Sequence, residues 1–148
     1  NRLAGYDKSG FYGAGGTRRS FLWTTWQPRQ WFDWTDGYQW HPYYENQDVL
    51  KIGAENVKAS FHLNAKKQLI FCAMNFNKEA TEASFALDTG KLELPGVLHA
   101  RDVVTGEVFE IKDGRFSLAF LGHCPRLLVI HSAPVPDLSI DLTKLDCM

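Results

Sequence analysis

Long apolar runs are missing from this chain. None of its 148 residues belongs to a run near the roughly 18 apolar positions of a membrane helix. No positively charged start followed by an apolar core marks a secretion signal. An excess of one charge is missing too. Lys+Arg number 16 and Asp+Glu 17, for a net charge of −1, which gives no electrostatic case for nucleic acid or an anionic membrane as partner. The doublets Arg18-Arg19 and Lys66-Lys67 are isolated. Cysteine is scarce: Cys72, Cys124 and Cys147 have no metal-ligand spacing, and an odd count is no disulfide framework, though a Cys124–Cys147 bridge stays open. Cys72, inside an apolar stretch, reads as a small core residue. His41, His62, His99, His123 and His131 are scattered, with no pair at zinc spacing. No nucleophile-elbow pattern occurs. GlyAlaGlyGlyThr at 13–17 resembles a phosphate-cradling loop, but no apolar strand precedes it and no Lys-Ser/Thr follows. Neither a metal nor a cofactor is expected.

Tryptophan and tyrosine are missing from the whole back of the chain. All five tryptophans fall between Trp23 and Trp40, all five tyrosines between Tyr6 and Tyr44, and only phenylalanines follow. Two compositional parts result: residues 1–48, rich in indole and phenol, and residues 49–148, apolar and strand-patterned. The first twenty residues, punctuated by Gly5, Gly10, Gly13, Gly15 and Gly16, read as loop. Phe21–Trp26 could open as a strand before Pro28 breaks it. The three-residue spacings Trp23/Trp26 and Trp31/Trp34 fit a helix, but Pro28, the Asp36-Gly37 turn signal and His41-Pro42 argue for an irregular, packed segment. The chain opens on Asn1 and not on Met, so residues upstream are expected.

From Val49 onward the periodicity is that of strands. Val57, Ala59, Phe61 and Leu63 alternate with Lys58, Ser60 and His62, giving one buried and one wet face. AsnAlaLysLys at 64–67 turns the chain into Leu69–Met74, apolar on both faces and so a central strand. Ala83, Phe85 and Leu87 alternate again; 92–96 is a connection leading to Leu98 and Ala100. Thr105-Gly106 turns into Val108–Ile111, and Asp113-Gly114 is a two-residue hairpin signal into Phe116, Leu118 and Phe120. Arg126–His131 is a last strand, apolar on both sides, and Leu138–Leu142 could add an edge strand. Seven or so strands with no convincing helix predict an all-β fold, an antiparallel β-sandwich with an irregular aromatic-rich N-terminal segment.

The order of these elements carries a resemblance. ValLysAlaSerPheHisLeu, then LeuIlePheCysAlaMetAsnPheAsn, an alternating strand, AlaArgAspValValThrGlyGlu, AspGlyArgPheSerLeu and ArgLeuLeuValIle resemble the C-terminal β-sandwich that follows the catalytic barrel of many glycoside hydrolases. The match covers about residues 55–131. TrpHisProTyrTyrGluAsn near the junction is similar to bacterial glycosidase-like proteins whose barrel is related to β-N-acetylgalactosaminidases. The resemblance implies a non-catalytic accessory domain that supports an upstream catalytic domain of the same polypeptide and contacts oligosaccharide. It also implies an extracytoplasmic location, periplasmic or secreted, and places the catalytic carboxylates upstream on the barrel.

Within the chain itself, glycoside hydrolysis would need two carboxyl groups about 5–5.5 Å or about 6.5–9.5 Å apart. Asp33 and Asp36, set among tryptophans, are the candidate pair, since apolar walls could raise one of them for general-acid work. The competing reading makes Asp33 a local hydrogen-bond acceptor and Asp36 the partner of Gly37 in a turn. Trp23, Trp26, Trp31, Trp34, Tyr38 and Trp40 are the candidate carbohydrate-binding residues, because flat rings offer an apolar face to pyranose C–H groups. Two other readings compete with that platform: a docking surface for the catalytic domain, or plain core. A stand-alone carbohydrate-binding module and an interaction domain without sugar affinity are the alternatives for the whole chain. Exposed indoles favour sugar, a broad apolar patch favours a partner domain, and buried rings favour structure alone.

Overall fold

The structure is a computed structural model that describes residues 28–103 and 105–138. The candidate strand at Phe21–Trp26, with Trp23 and Trp26, lies outside the described residues. So do Cys147 and residues 139–142 of the candidate edge strand.

Among the described residues the fold is all-β, with one helical turn at 28–31. The strands are β1 (Gln39–His41), β2 (Leu50–Ile52), β3 (Val57–Leu63), β4 (Leu69–Asn75), β5 (Thr81–Leu87), β6 (Val97–Asp102), β7 (Val108–Lys112), β8 (Arg115–Phe120) and β9 (Pro125–His131). Seven are those the alternation predicts. The additions, β1 and β2, are three residues long, too short to show a period. All strand pairs are antiparallel, in the order β1-β3-β4-β9-β6-β7-β8-β5-β2.

This is one sheet folded over on itself. Between β7 and β8 the ladder has a single register pair, Lys112↔Arg115, at the Asp113-Gly114 hairpin. Asp113 and Gly114 both have positive φ, 52° and 76°, as a type I′ turn demands. Beyond that turn the two halves face each other. Phe71 on β4 meets Phe85 on β5 and Phe116 on β8, each with ring centroids 5.4 Å apart, although these strands are far apart in the order. The core between the layers holds the alternating residues of β3, β5 and β8 together with Leu98, Ala100, Ile111, Leu128 and Ile130. The period-2 pattern thus decides which side of each strand is inside.

A second, smaller apolar cluster covers the outer face of β4 and β9. Ile70, Leu127 and Val129 point outward there, and Phe32, Val103, Val135 and Leu138 close over them. That explains why β4 and β9 are apolar on both faces. It also fixes where the aromatic segment goes, because Phe32 draws residues 28–38 onto the outside of the sheet.

Candidate functional site: an aromatic patch on the outer face

Two buried amides position the aromatic segment. Asn64 and Gln68 flank the β3–β4 turn and are almost wholly buried. The Asp33 backbone N–H donates to Gln68 Oε1 at 2.9 Å, Gln68 Nε2 donates to the Trp31 carbonyl at 3.2 Å, and Asn64 Nδ2 donates to the Asp33 carbonyl at 2.9 Å. Ala65 N–H reaches the Asp36 carbonyl at 3.0 Å. Gly37 then crosses close over Ala65. Its φ is +61°, and a Cβ there would sit 2.9 Å from the Ala65 Cβ, so only glycine fits without a shift.

From Gly37 the chain enters β1, whose Trp40 lies opposite His62 of β3. His62 is the hub of the patch. Trp40 stacks on its ring at 4.4 Å and Tyr38 at 5.6 Å, while Trp34 meets it edge-on at 5.0 Å. Tyr38 Oη and His62 Nδ1 share a hydrogen bond of 2.9 Å, and Trp34 Nε1 donates to the Arg29 carbonyl at 2.7 Å. The Trp34 indole N–H and the Tyr38 hydroxyl are therefore used to fix orientation, and Trp40 is held by its stacking on His62, leaving ring surface to the outside. Trp34 is 37% exposed, Tyr38 42% and Trp40 46%. These rings are neither core nor loosely hanging.

Of the sequence candidates, Trp34, Tyr38 and Trp40 come together here. Trp31 does not join them; it packs on the outer-face cluster, with its ring edge-on to His131 at 6.1 Å. Asp33 forms an ion pair with Lys66 at 2.9 Å and accepts from the Thr35 N–H and hydroxyl at 2.9 and 2.7 Å. Lys66 first, and then Thr35, hold its carboxyl well below the usual carboxylate range. A general acid needs the opposite shift. Asp36 sits in the turn before Gly37. Sequence reasoning missed His62, Asn64 and Gln68. Their partners lie 24 to 37 residues away, and no local pattern signals that.

Beside the patch, across Trp40, lies a shallow groove of about 430 Å³. Trp40, Tyr43, Met74 and Phe76 supply its apolar surface, and Lys58, Ser60 and Asn56 its polar groups. Asn46, almost fully buried, sets the Tyr43 side by donating to the His41 and Ala59 carbonyls at 3.2 and 2.9 Å. Among the described residues no group of His, Cys, Asp and Glu is placed to hold a metal ion. Cys72, at the groove floor, has its thiol pushed up to about 11 by burial.

No protein-family model and no curated protein matches the chain. Solved structures do. A GH27 β-L-arabinopyranosidase from Geobacillus stearothermophilus is 15% identical at a TM-score of 0.44, with 55% of this chain and 18% of that one covered. α-Galactosidase I from Mortierella vinacea is 13% identical at a TM-score of 0.42, covering 55% and 23%. A GH30 endoxylanase from Clostridium papyrosolvens is 14% identical at 0.40, covering 54% and 21%. The chain spans about a fifth of the length of these glycoside hydrolases. Likeness at this level has no bearing on what the chain binds.

The patch has a pH signature of its own. Burial first, and the nearby Arg29 charge second, lower His62 from 6.5 to about 4. Between those values the unfolded chain binds a proton that the folded chain refuses, so stability present above pH 6.5 is lost as pH falls through about 4. The half-buried ring is screened by water, which leaves a loss of about 1–2 kcal/mol. Urea unfolding at pH 7 and pH 4.5 is expected to show it, and His62→Phe to remove most of the slope. The remainder belongs to His41, which burial also lowers.

Proposed function

We propose that the chain is a non-catalytic accessory β-domain of a glycoside hydrolase-like polypeptide, and that the patch at Trp34, Tyr38 and Trp40 is its glycan-contact surface. In this reading residues 49–148 hold most of the β-domain, and residues 1–48 lead to it from the catalytic domain while adding β1 to its sheet. The carrying observation is that three half-exposed rings are held around His62: Trp34 and Tyr38 by hydrogen bonds inside the protein, and Trp40 by stacking on the imidazole. A surface of that kind keeps its shape when empty, so little ordering entropy is lost on binding. The apolar C–H face of a pyranose can lie on it. The ionised, ion-paired Asp33 in the same segment supports a binding role over an acid–base one.

Tryptophan fluorescence titrated against a panel of oligosaccharides tests this. A saturable shift is expected, and Trp40→Ala should weaken it about tenfold, as losing roughly 1.4 kcal/mol of ring contact would. Trp34→Ala should act in the same direction. No shift with any glycan would sink the reading. The second reading, a seam against the catalytic domain, is favoured by the continuity of the patch with the apolar groove. It would then stand.

A further inference from the structure

The groove next to Trp40 has a lysine, Lys58, among its exposed rings. Lys58 lies opposite Met74 in the β3–β4 ladder, on the outer face. Its ammonium group has no ion pair among the described residues, as is true of Lys51, Lys78, Lys91 and Lys112 as well; what sets Lys58 apart is its place in a groove with the exposed rings of Trp40 and Tyr43. No Asp or Glu lines the groove. A cation beside rings, in a groove without an acidic group, is able to pair with an anion.

The surrounding groups select the kind of anion. Trp40 and Tyr43 offer ring faces, and Met74 and Phe76 continue the apolar surface, which suits a flat body with C–H groups more than a phosphate. Ser60 Oγ accepts from the Tyr43 N–H at 2.8 Å, so its own O–H remains a donor. Asn56 donates Nδ2 to Asn77 Oδ1 at 3.2 Å, which leaves its carbonyl oxygen as an acceptor. Asn56 also receives the Phe76 N–H on its backbone carbonyl at 2.8 Å, and this places the Phe76 ring at the rim. One ammonium, one hydroxyl donor and one amide acceptor beside an indole match a sugar bearing a carboxylate. The volume, about 430 Å³, holds a small ligand of that size.

We propose that this groove is a subsite for an acidic sugar, a hexuronate residue of an oligosaccharide, with Lys58 as the partner of its carboxylate and Trp40 as the shared wall with the neutral-face patch. It rests on the glycan-contact reading and narrows it to a ligand class. Lys58 is solvent-facing, so the pair is worth only about two- to fivefold in affinity and weakens with salt.

The test uses the whole chain and two probes, trigalacturonate and the matching neutral galactotriose, followed by tryptophan fluorescence at low and high salt. The acidic trimer is expected to bind about two- to fivefold more tightly at low salt. Lys58→Gln should remove that preference while the neutral trimer binds as before, and Trp40→Ala should weaken both. Equal affinity for the two trimers, or a preference that survives Lys58→Gln, overturns the acidic subsite and leaves the glycan surface standing. Equally tight binding of oligoglutamate at the same groove also overturns it, in favour of an acidic peptide. Failure of both trimers to bind removes the subsite, and failure of the wider oligosaccharide panel then removes the glycan reading too.

Discussion

Arg126→Met is expected to lower folding stability by about 3–5 kcal/mol, as removing one member of a buried ion pair does. Arg126 Nε donates to Asp102 Oδ2 at 2.6 Å, and Asp102 is 0% exposed. The same guanidinium donates through Nη1 to the Ala119 carbonyl at 2.6 Å and through Nη2 to Glu107 Oε1 at 3.0 Å. One side chain on β9 therefore ties together β6, β8 and the turn that leaves β6. Asp102 also accepts the Thr105 N–H at 2.9 Å, and its own backbone closes the turn with Gly106 and Glu107. Methionine fills the stem volume but leaves the carboxylate without its guanidinium. The double variant Arg126→Met/Asp102→Asn should recover a good part of the loss, because the cost lies in the buried charge more than in the missing bond. Urea midpoints with an unchanged slope would measure both. A loss under about 1 kcal/mol would mean that water reaches Asp102, and that the site is not the buried knot its geometry describes.

The same two residues show what a sequence reveals and what it hides. AspValValThrGlyGlu was legible as a turn because Thr-Gly chemistry is local, and Gly106 does take φ +77°. That Asp102 would be buried and paired with Arg126 was not legible, since 24 residues separate them. Alternation located seven strands and their inner faces, because burial of one face writes a period of two into the chain. It could not place β1 and β2, whose pairing comes from Asn46 and from register with β3 and β5. The apolar character of both sides of Leu69–Met74 correctly signalled a central strand, and the same character in Arg126–His131 goes with its interior place beside it. The agent on the outer side, Phe32 with Val135 and Leu138, lies in segments with no period at all. For the site, composition located the rings, and their grouping depended on His62, Asn64 and Gln68. Trp31 and Trp34 look alike in sequence. One packs on the outer-face cluster and the other stays half exposed, because the Gln68 hydrogen bonds fix the chain between them.

Phe71→Ala should cost about as much as the Arg126 change, roughly 3–5 kcal/mol, for a reason that concerns the whole fold. Phe71 is 0% exposed. It touches Phe61 on β3 within one layer, at 6.2 Å, and Phe85 and Phe116 on the other, each at 5.4 Å and close to edge-on. Phe85 and Phe116 in turn stack at 5.1 Å. Edge-to-face contacts reward geometry as well as area, and no neighbour can collapse into the gap without tilting a ring already engaged elsewhere. The control is Phe76→Ala. Phe76 is the same residue type but 55% exposed, and its loss should stay within about 0.5 kcal/mol. Because Phe71 stitches the folded-over halves, amide protection in β3–β4 and in β5–β8 should fall together in Phe71→Ala. Loss of protection confined to β3–β4 would instead mean that the two layers open as separate units, and that the short β7–β8 ladder, not the phenylalanine core, is what joins them.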